Sequence, residues 1–183
     1  MDQTELVKQI TANIGKVKVL HLTKILNEQQ FDLRDLIAIT FHPDKDVAFR
    51  ATWLLENVFL QKPEVYLPQL DYLLSGINNV KHPGPQRHYA KIVMHITDAD
   101  APQIIKDKVA TIDFEPIVEK LFDWMIDAKV KIAVKAFAAE ALFNLRHRYD
   151  WIAEELANQL QFLMRNGSPA IQVRGKKLLR DLK

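Results

Sequence analysis

The stretch FHPDKDVAFRATWLLENVFL, residues 41–60, contains a helix end, a new helix start and a largely apolar helix. Proline disfavours the helical backbone at the residue before it, so the preceding helix is expected to end near His42. Asp44 or Asp46 then supplies a carboxylate that accepts the unpaired amides of the next helix. Because that helix is apolar over most of its circumference, we expect other helices to pack on both sides of it.

Related features recur along the chain. The small residues Ala51, Ala90, Ala136 and Gly175 are separated by 39, 46 and 39 positions, a period typical of two-helix solenoid repeats. Each follows a polar or basic residue: Arg50, Tyr89, Lys135 and Arg174. No segment alternates apolar and polar residues for long enough to indicate a β-strand. The sequence therefore predicts an all-α fold, a right-handed α-α superhelix.

The period divides the chain into a single domain, residues 1–183, with about four helix pairs. We predict capping helices in residues 1–30, since the end repeat of a solenoid has only one neighbour to cover it. The predicted pairs are residues 31–62, 63–98, 114–148 and 150–183. Residues 99–113 account for the longer spacing and are predicted to be an insertion with a short helix. Such insertions often carry binding specificity, although many are only longer connectors.

Composition excludes several classes of protein. Hydrophobic residues make up 48% and charged residues 26% of the chain, as in folded globular domains. The absence of cysteine excludes disulfides, thiol nucleophiles and cysteine-ligated metals. No apolar run is long enough to cross a membrane, and the start MDQTELVKQI lacks the features of a signal peptide. These observations predict a cytoplasmic protein.

Two motifs carry a resemblance to a known family. The pattern D-V-x-x-R-A-x-x-L-L at residues 46–55 and V-R-G-x-x-L-L at residues 173–179 resemble the second helices of HEAT repeats. The resemblance covers residues 31–183 and implies a HEAT- or armadillo-like solenoid. Tyr89 and Lys135 depart from the arginine that the family has at this position.

The segment VAFRATWLLENV, residues 47–58, also resembles a group of small bacterial HEAT-like proteins that sometimes carry the label adenylosuccinate lyase. Lyases of that superfamily resemble one another in a Ser-Ser-x-Met-Pro-x-Lys-x-Asn loop that carries the catalytic base, and in a much longer chain. That loop does not occur in this sequence. The resemblance therefore implies a fold here and no lyase activity.

The recurring side chains give the first functional hypothesis. Arg50, Tyr89, Lys135 and Arg174 occupy equivalent repeat positions, which predicts a ladder on a partner-binding face. They could instead bind carboxylates of neighbouring repeats. The P-loop, GxGxxG, HExxH and GxSxG motifs are absent, so no catalytic residue and no cofactor is predicted. The sequence favours a non-catalytic adaptor or scaffold that binds another protein, and it leaves the oligomeric state open.

A nucleic-acid-binding protein is the alternative hypothesis. Residues 1–126 carry 14 Lys and Arg against 17 Asp and Glu, whereas residues 127–183 carry 11 against 6. Basic side chains on adjoining helices could follow phosphates. The candidate basic patch consists of Arg146, Arg148, Arg165, Lys176, Lys177 and Arg180, with Lys183 at the C-terminus. A polar outer face of the terminal repeat would explain the same residues.

Two further groups of residues have structural and functional interpretations. His82, His88 and His95, with Asp98 and Asp100 nearby, could bind zinc, but turn and surface histidines are the favoured interpretation, so no metal site is predicted. The large aromatic side chains could anchor a partner if they were exposed, but their helical spacing favours positions in the core. They are Trp53, Phe59, Trp124 and Phe137.

Overall fold

The computed structural model describes residues 3–12, 15–29, 31–165 and 167–182, and these ranges contain helices and turns but no β-strand. The helices are α1 Gln3–Thr11, α2 Lys16–Glu28, α3 Leu33–Ile39, α4 Lys45–Gln61, α5 Pro63–Tyr66, α6 Leu70–Ser75, α7 Pro83–Ile96, α8 Gln103–Ala110, α9 Glu115–Ile126, α10 Ile132–Asn144, α11 Ile152–Met164 and α12 Pro169–Asp181. Short 3-10 turns occupy Leu67–Gln69 and Gly76–Asn79.

The helices form two rows around one continuous core. In one row α2 packs against α4, α4 against α7, α7 against α10, and α10 against α12. In the other row α1 packs against α3 and α3 against α6, and α9 contacts the turn Gly76–Asn79. This arrangement of helix pairs is an α-solenoid, as the repeat period predicted. The pair α1 and α2 lies at the end of both rows, where the capping helices were expected.

The stretch at residues 41–60 folds as its sequence indicates. The Asp44 carboxylate caps α4 by accepting hydrogen bonds from the amides of Asp46 at 2.8 Å and Val47 at 3.3 Å. These two hydrogen bonds lower the pKa of Asp44. Ala51 and Ala90 are both fully buried. Because a methyl side chain occupies little space, the second helices can approach one another closely at these positions.

In the predicted pair 63–98 the apolar residues Tyr66, Leu70, Leu73, Ile77 and Val80 keep a helical period that predicts one first helix, and this part of the prediction is wrong. Pro68 has no amide hydrogen to donate to the carbonyl of Glu64, and its ring restricts the backbone. The chain accordingly forms α5, a 3-10 turn and α6 in place of one continuous helix. The helix α7 begins at Pro83, in the first turn where a missing amide costs least.

The insertion carries the predicted short helix, α8, and side chains hold it against the solenoid. The Arg148 guanidinium donates hydrogen bonds to the carbonyls of Val109, at 3.0 Å, and Ile112 at the end of this helix. Lys108 forms an ion pair with Asp71 in the preceding repeat. The insertion is therefore held by contacts with both the preceding and the following part of the solenoid.

The large aromatic side chains divide between core and surface. Phe59 and Trp124 are buried, in agreement with the sequence prediction. Trp53 and Phe137 pack against the core but are only partly buried. The prediction of core positions therefore holds for Phe59 and Trp124, whereas Trp53 and Phe137 contact the core and remain partly exposed.

Candidate functional site

The solvent-facing side of α4, α7, α10 and α12 carries aromatic and basic side chains, and we call this surface the second-helix face. On α4, Phe49 is 37% exposed and lies 6.0 Å from Trp53 between ring centroids. The Phe49 ring lies directly over Gly84 of α7, where an added Cβ would be 2.6 Å from its Cδ2 atom. A glycine is required there for the ring to rest on the α7 backbone.

A buried polar cluster lies beneath these rings. Glu56 and His88 are each 7% exposed, and the Glu56 carboxylate accepts hydrogen bonds from His88 Nδ1 and Lys91 Nζ, both at 2.5 Å. Burial alone would raise the pKa of Glu56, but the hydrogen bonds and charges of His88 and Lys91 outweigh it and lower that pKa. The cluster joins α4 to α7 and fixes the base of the face.

Phe137 continues the surface onto α10, and two guanidinium groups lie close to its ring. Arg87 from α7 and Arg174 from α12 each lie 5.8 Å from its ring centroid. Arg174 also forms an ion pair with Glu140, with Nε 3.1 Å from Oε1. A cation over an aromatic ring is attracted to the negative face of the π-system, so the three side chains hold one another in place.

An apolar groove of about 730 Å³ separates α10 from α12 at the C-terminal end of the face. The two helices contact each other much less extensively than α10 contacts α7. Gly175 of α12 packs instead against Met164 of α11, with an added Cβ only 2.5 Å from its sulfur atom. The groove is lined mainly by aliphatic and alanine side chains, with Glu140, Arg174 and Lys177 as its charged residues.

The four residues of the predicted ladder do not form a row of exposed side chains. Arg50 donates hydrogen bonds to the carbonyls of Ile10 and Thr11 at the end of α1, at 3.4 and 3.0 Å. Lys135 is buried, and its ammonium donates to the Met125 carbonyl at 2.8 Å. Burial lowers the pKa of this lysine. Both cations satisfy carbonyls that a helix end leaves unpaired.

Tyr89 is fully buried, and its hydroxyl is 3.0 Å from Thr40 Oγ1. Burial raises the pKa of this phenol. Of the four residues only Arg174 combines a place on the second-helix face with partial exposure beside a groove. A partner has no access to the side chains of Tyr89 and Lys135 in this fold. The residues at the four equivalent repeat positions therefore make different kinds of contact.

The members of the candidate basic patch also differ from one another in their contacts. Arg146 lies over the Phe143 ring at 3.9 Å, and Arg148 lies over Phe114 at 4.9 Å while it holds α8. Arg180 forms an ion pair with its neighbour Asp181. The remaining members Arg165, Lys176 and Lys177 are exposed, and Lys183 lies outside the described residues. Arg180 is exposed as well, so four described members of the patch lie at the surface, one of them paired with a carboxylate.

The histidines that could bind zinc do not converge. His88 is engaged by Glu56, whereas His95 lines a separate pocket of about 510 Å³ with Asp98 and Asp100, between the end of α7 and the insertion. Burial lowers the pKa of His95. Among the residues that the structure describes, no group of three or more His, Cys, Asp or Glu side chains has the geometry to hold a metal ion.

Sequence reasoning did not find the Glu56 cluster or the position of Arg87. Glu56 is the only charged residue in residues 51–60, and it shares a helix face with Thr52 and Phe59. A single carboxylate on a buried stripe indicates a buried ion pair, because an unpaired charge is too costly to bury. The sequence contains this signal, but it does not identify the partners. His88 and Lys91 lie 32 and 35 residues away from Glu56 along the chain.

The fold and its exposed second-helix face define an α-helical repeat protein with a scaffold architecture. The family model of the HEAT repeat domain matches residues 6–182, and the chain belongs to this family. No curated protein and no solved structure matches the sequence. No helix within the described ranges has both the length and the apolar character needed to cross a membrane.

Proposed function

We propose that this protein is a non-catalytic scaffold that binds another protein through its second-helix face. The observation that carries the proposal is the set of partly or fully exposed aromatic and basic side chains on α4, α7 and α10. Phe49 and Trp53 form its first part, and Arg87 and Phe137 form its second. Aromatic and arginine side chains contribute most of the binding energy in many protein interfaces.

The support beneath this surface favours binding without large rearrangement. Gly84 receives the Phe49 ring, and the Glu56 carboxylate fixes His88 under the same ring, whose centroid is 5.5 Å from that of His88. Side chains that are already fixed lose less conformational entropy when a partner binds. HEAT repeat domains generally mediate protein interactions, so the family is consistent with this role.

Nucleic-acid binding is the second candidate, and the exposed cations Arg165, Lys176 and Lys177 favour it. A phosphate backbone requires several cations that can release counterions. Arg146, Arg148 and Arg180 already contact aromatic rings, carbonyls or a carboxylate, which leaves a small set near α12. The protein-binding role is therefore the better supported of the two.

The test compares two arginines that each cover an aromatic ring. Arg87 lies over Phe137 on the second-helix face, whereas Arg34 lies 5.3 Å from the Tyr72 ring centroid in the other row of helices. Both are exposed. Tagged wild-type protein, Arg87→Glu and Arg34→Glu would be used for affinity purification from the lysate of the native host, with and without nuclease.

We expect a defined protein partner to survive nuclease treatment and to be lost from Arg87→Glu but retained by Arg34→Glu. Equal retention of the partner by Arg87→Glu and Arg34→Glu would show that the binding surface lies outside the second-helix face. Loss of every associated protein after nuclease treatment would favour the nucleic-acid candidate. Circular dichroism of both variants would establish that they remain folded.

A further inference from the structure

The groove between α10 and α12 has the shape and lining of a receptor for an aliphatic side chain. Ala133 and Ala136 lie on its α10 side, and their small side chains leave the space that the groove occupies. Ile132 is 41% exposed and Val173 is 72% exposed, and both line the groove. Covering such apolar surface is favourable in proportion to the area removed from water.

The charged residues of the groove give it a preference for anions. Arg174 is paired with Glu140, so its charge is partly compensated. Lys177 is exposed and lines the groove, and it forms no ion pair with any of the described residues, although together with Arg180 its charge lowers the pKa of Asp181 on the same helix. Residues 127–183 as a whole carry 11 Lys and Arg against 6 Asp and Glu, which adds a positive field around the groove.

We propose that this groove binds a segment of a partner protein in which an aliphatic side chain lies next to a carboxylate. The aliphatic side chain occupies the space above Ala133 and Ala136, and the carboxylate pairs with Lys177 and Arg174. The inference rests on the proposed protein-binding function and names the chemistry of the partner at one place on the second-helix face.

The lining distinguishes this partner from nucleic acid. The groove offers two cations, one of them already paired with Glu140, and most of its other lining residues are apolar. Nucleic-acid binding derives its affinity mainly from many phosphate contacts, which this groove does not supply. An apolar groove with a charge at its margin instead matches the recognition of peptide segments by a few anchoring side chains.

Two neighbouring lysines provide a matched pair of variants. Lys176 and Lys177 are both exposed on α12, but only Lys177 lines the groove. Ala133 and Ala38 form a second pair, since both are exposed helical alanines and Ala38 lies on α3 in the other row. The test variants are Lys177→Glu and Ala133→Glu, and the controls are Lys176→Glu and Ala38→Glu.

The probe is a phage-displayed library of random 12-residue peptides selected on the immobilised full-length chain. Enriched peptides would be synthesised with a fluorescent label and titrated against each variant by fluorescence anisotropy. We expect enriched peptides to carry an aliphatic residue within a few positions of Asp or Glu. Loss of one charge-assisted contact should weaken binding by about tenfold or more in Lys177→Glu, with a similar loss in Ala133→Glu.

The controls should bind the same peptides within about twofold of wild type, which is the scale expected for a charge outside the contact. Equal weakening by Lys176→Glu and Lys177→Glu would overturn the proposal, because it would indicate general attraction to a basic surface. Failure to enrich peptides that combine an aliphatic and an acidic residue would overturn it as well. So would displacement of the peptides by a short DNA duplex, if Lys176→Glu and Lys177→Glu weakened DNA binding equally.

The two proposals can fail separately. A native partner that is lost from Arg87→Glu but binds Lys177→Glu and Ala133→Glu as well as wild type would leave the second-helix face in place and overturn the role of the groove. A partner that binds Arg87→Glu as well as wild type but is lost from both groove variants would support binding in the groove. It would contradict binding through the wider second-helix face.

Discussion

Glu56 and His88 are joined across the contact between α4 and α7, with Glu56 Oε2 2.5 Å from His88 Nδ1. Both side chains are almost completely buried, and the other carboxylate oxygen of Glu56 binds Lys91. The helix α4, which carries the partly exposed Phe49 and Trp53, is thus connected to α7 by a buried carboxylate. The His88 ring of this cluster lies next to the exposed Phe49 ring, with 5.5 Å between the ring centroids.

Replacing Glu56 should destabilise the protein strongly. Glu56→Ala leaves His88 and Lys91 without their shared acceptor, and removal of one partner from a buried ion pair typically costs about 3–5 kcal/mol. Urea unfolding followed by circular dichroism would measure the loss. Glu64→Ala, at an exposed carboxylate of α5, is the control and should change stability by less than about 1 kcal/mol. Similar midpoints for both variants would show that the cluster contributes little.

The same cluster should make stability depend on acidic pH. The pKa of Glu56 in the folded protein lies below its ordinary value of 4.5. A carboxyl group with a lowered folded pKa contributes stability that is fully present above the unfolded pKa and is lost as pH falls through the folded pKa. The stability difference between wild type and Glu56→Gln should therefore be constant from about pH 5 to 7 and shrink below pH 4.5.

Urea titrations of both proteins at a series of pH values would measure this difference. The positive groups that face Glu56 are His88 and Lys91, with His95 also contributing to the local field. A difference that stays constant below pH 4.5, or grows there, would contradict the assignment.

Tyr89→Phe should produce a smaller loss. The variant keeps the buried ring but removes the hydrogen bond to Thr40, and a typical intramolecular hydrogen bond contributes about 0.5–1.5 kcal/mol. Thr40 retains its own bond to the Ile37 carbonyl, which limits the effect. Tyr72→Phe is the matched control, since Tyr72 is 43% exposed and should tolerate the change. Thermal unfolding would compare the two variants, and a lower melting temperature for Tyr72→Phe than for Tyr89→Phe would contradict the prediction.

Arg50→Ala should loosen α1 without unfolding the solenoid. The arginine satisfies the carbonyls of Ile10 and Thr11, and loss of such a cap lets a short terminal helix fray. Hydrogen exchange measured by mass spectrometry should show faster exchange in residues 3–11 and little change in α7 or α10. Lys45→Ala, at an exposed position of the same helix α4, should leave exchange in α1 unchanged. Uniform acceleration across the chain in Arg50→Ala would instead indicate a global role.

Gly175→Val should destabilise the last repeat through a local clash. Even a Cβ would lie 2.5 Å from Met164 Sδ and 2.9 Å from its Cγ, so the added side chain must displace Met164. Overpacking of this kind usually costs about 1–3 kcal/mol. Met164→Ala should restore part of that loss in the double variant, as measured by a double-mutant cycle in urea. Purely additive effects of the two substitutions would show that the residues do not interact.

The sequence by itself determined the repeat architecture. The spacing of Ala51, Ala90, Ala136 and Gly175 and the apolar stripes predict stacked helix pairs, because helical periodicity and small contact residues are local properties of the chain. The N-terminal cap of α4 was predictable for the same reason, because Asp44 accepts hydrogen bonds from amides only two and three residues away. The short helix in the insertion was also predicted correctly.

Only the tertiary structure decided what the recurring polar residues do. Arg50, Tyr89, Lys135 and Arg174 look equivalent in the sequence, but each meets a different neighbour, at a helix end, a buried hydroxyl, a carbonyl or a groove. The exposure of Trp53 and the junction of Glu56 with His88 depend in the same way on how α4 lies against α7. Contacts between residues more than 30 positions apart are set by packing between helices, and a repeat period does not fix that packing.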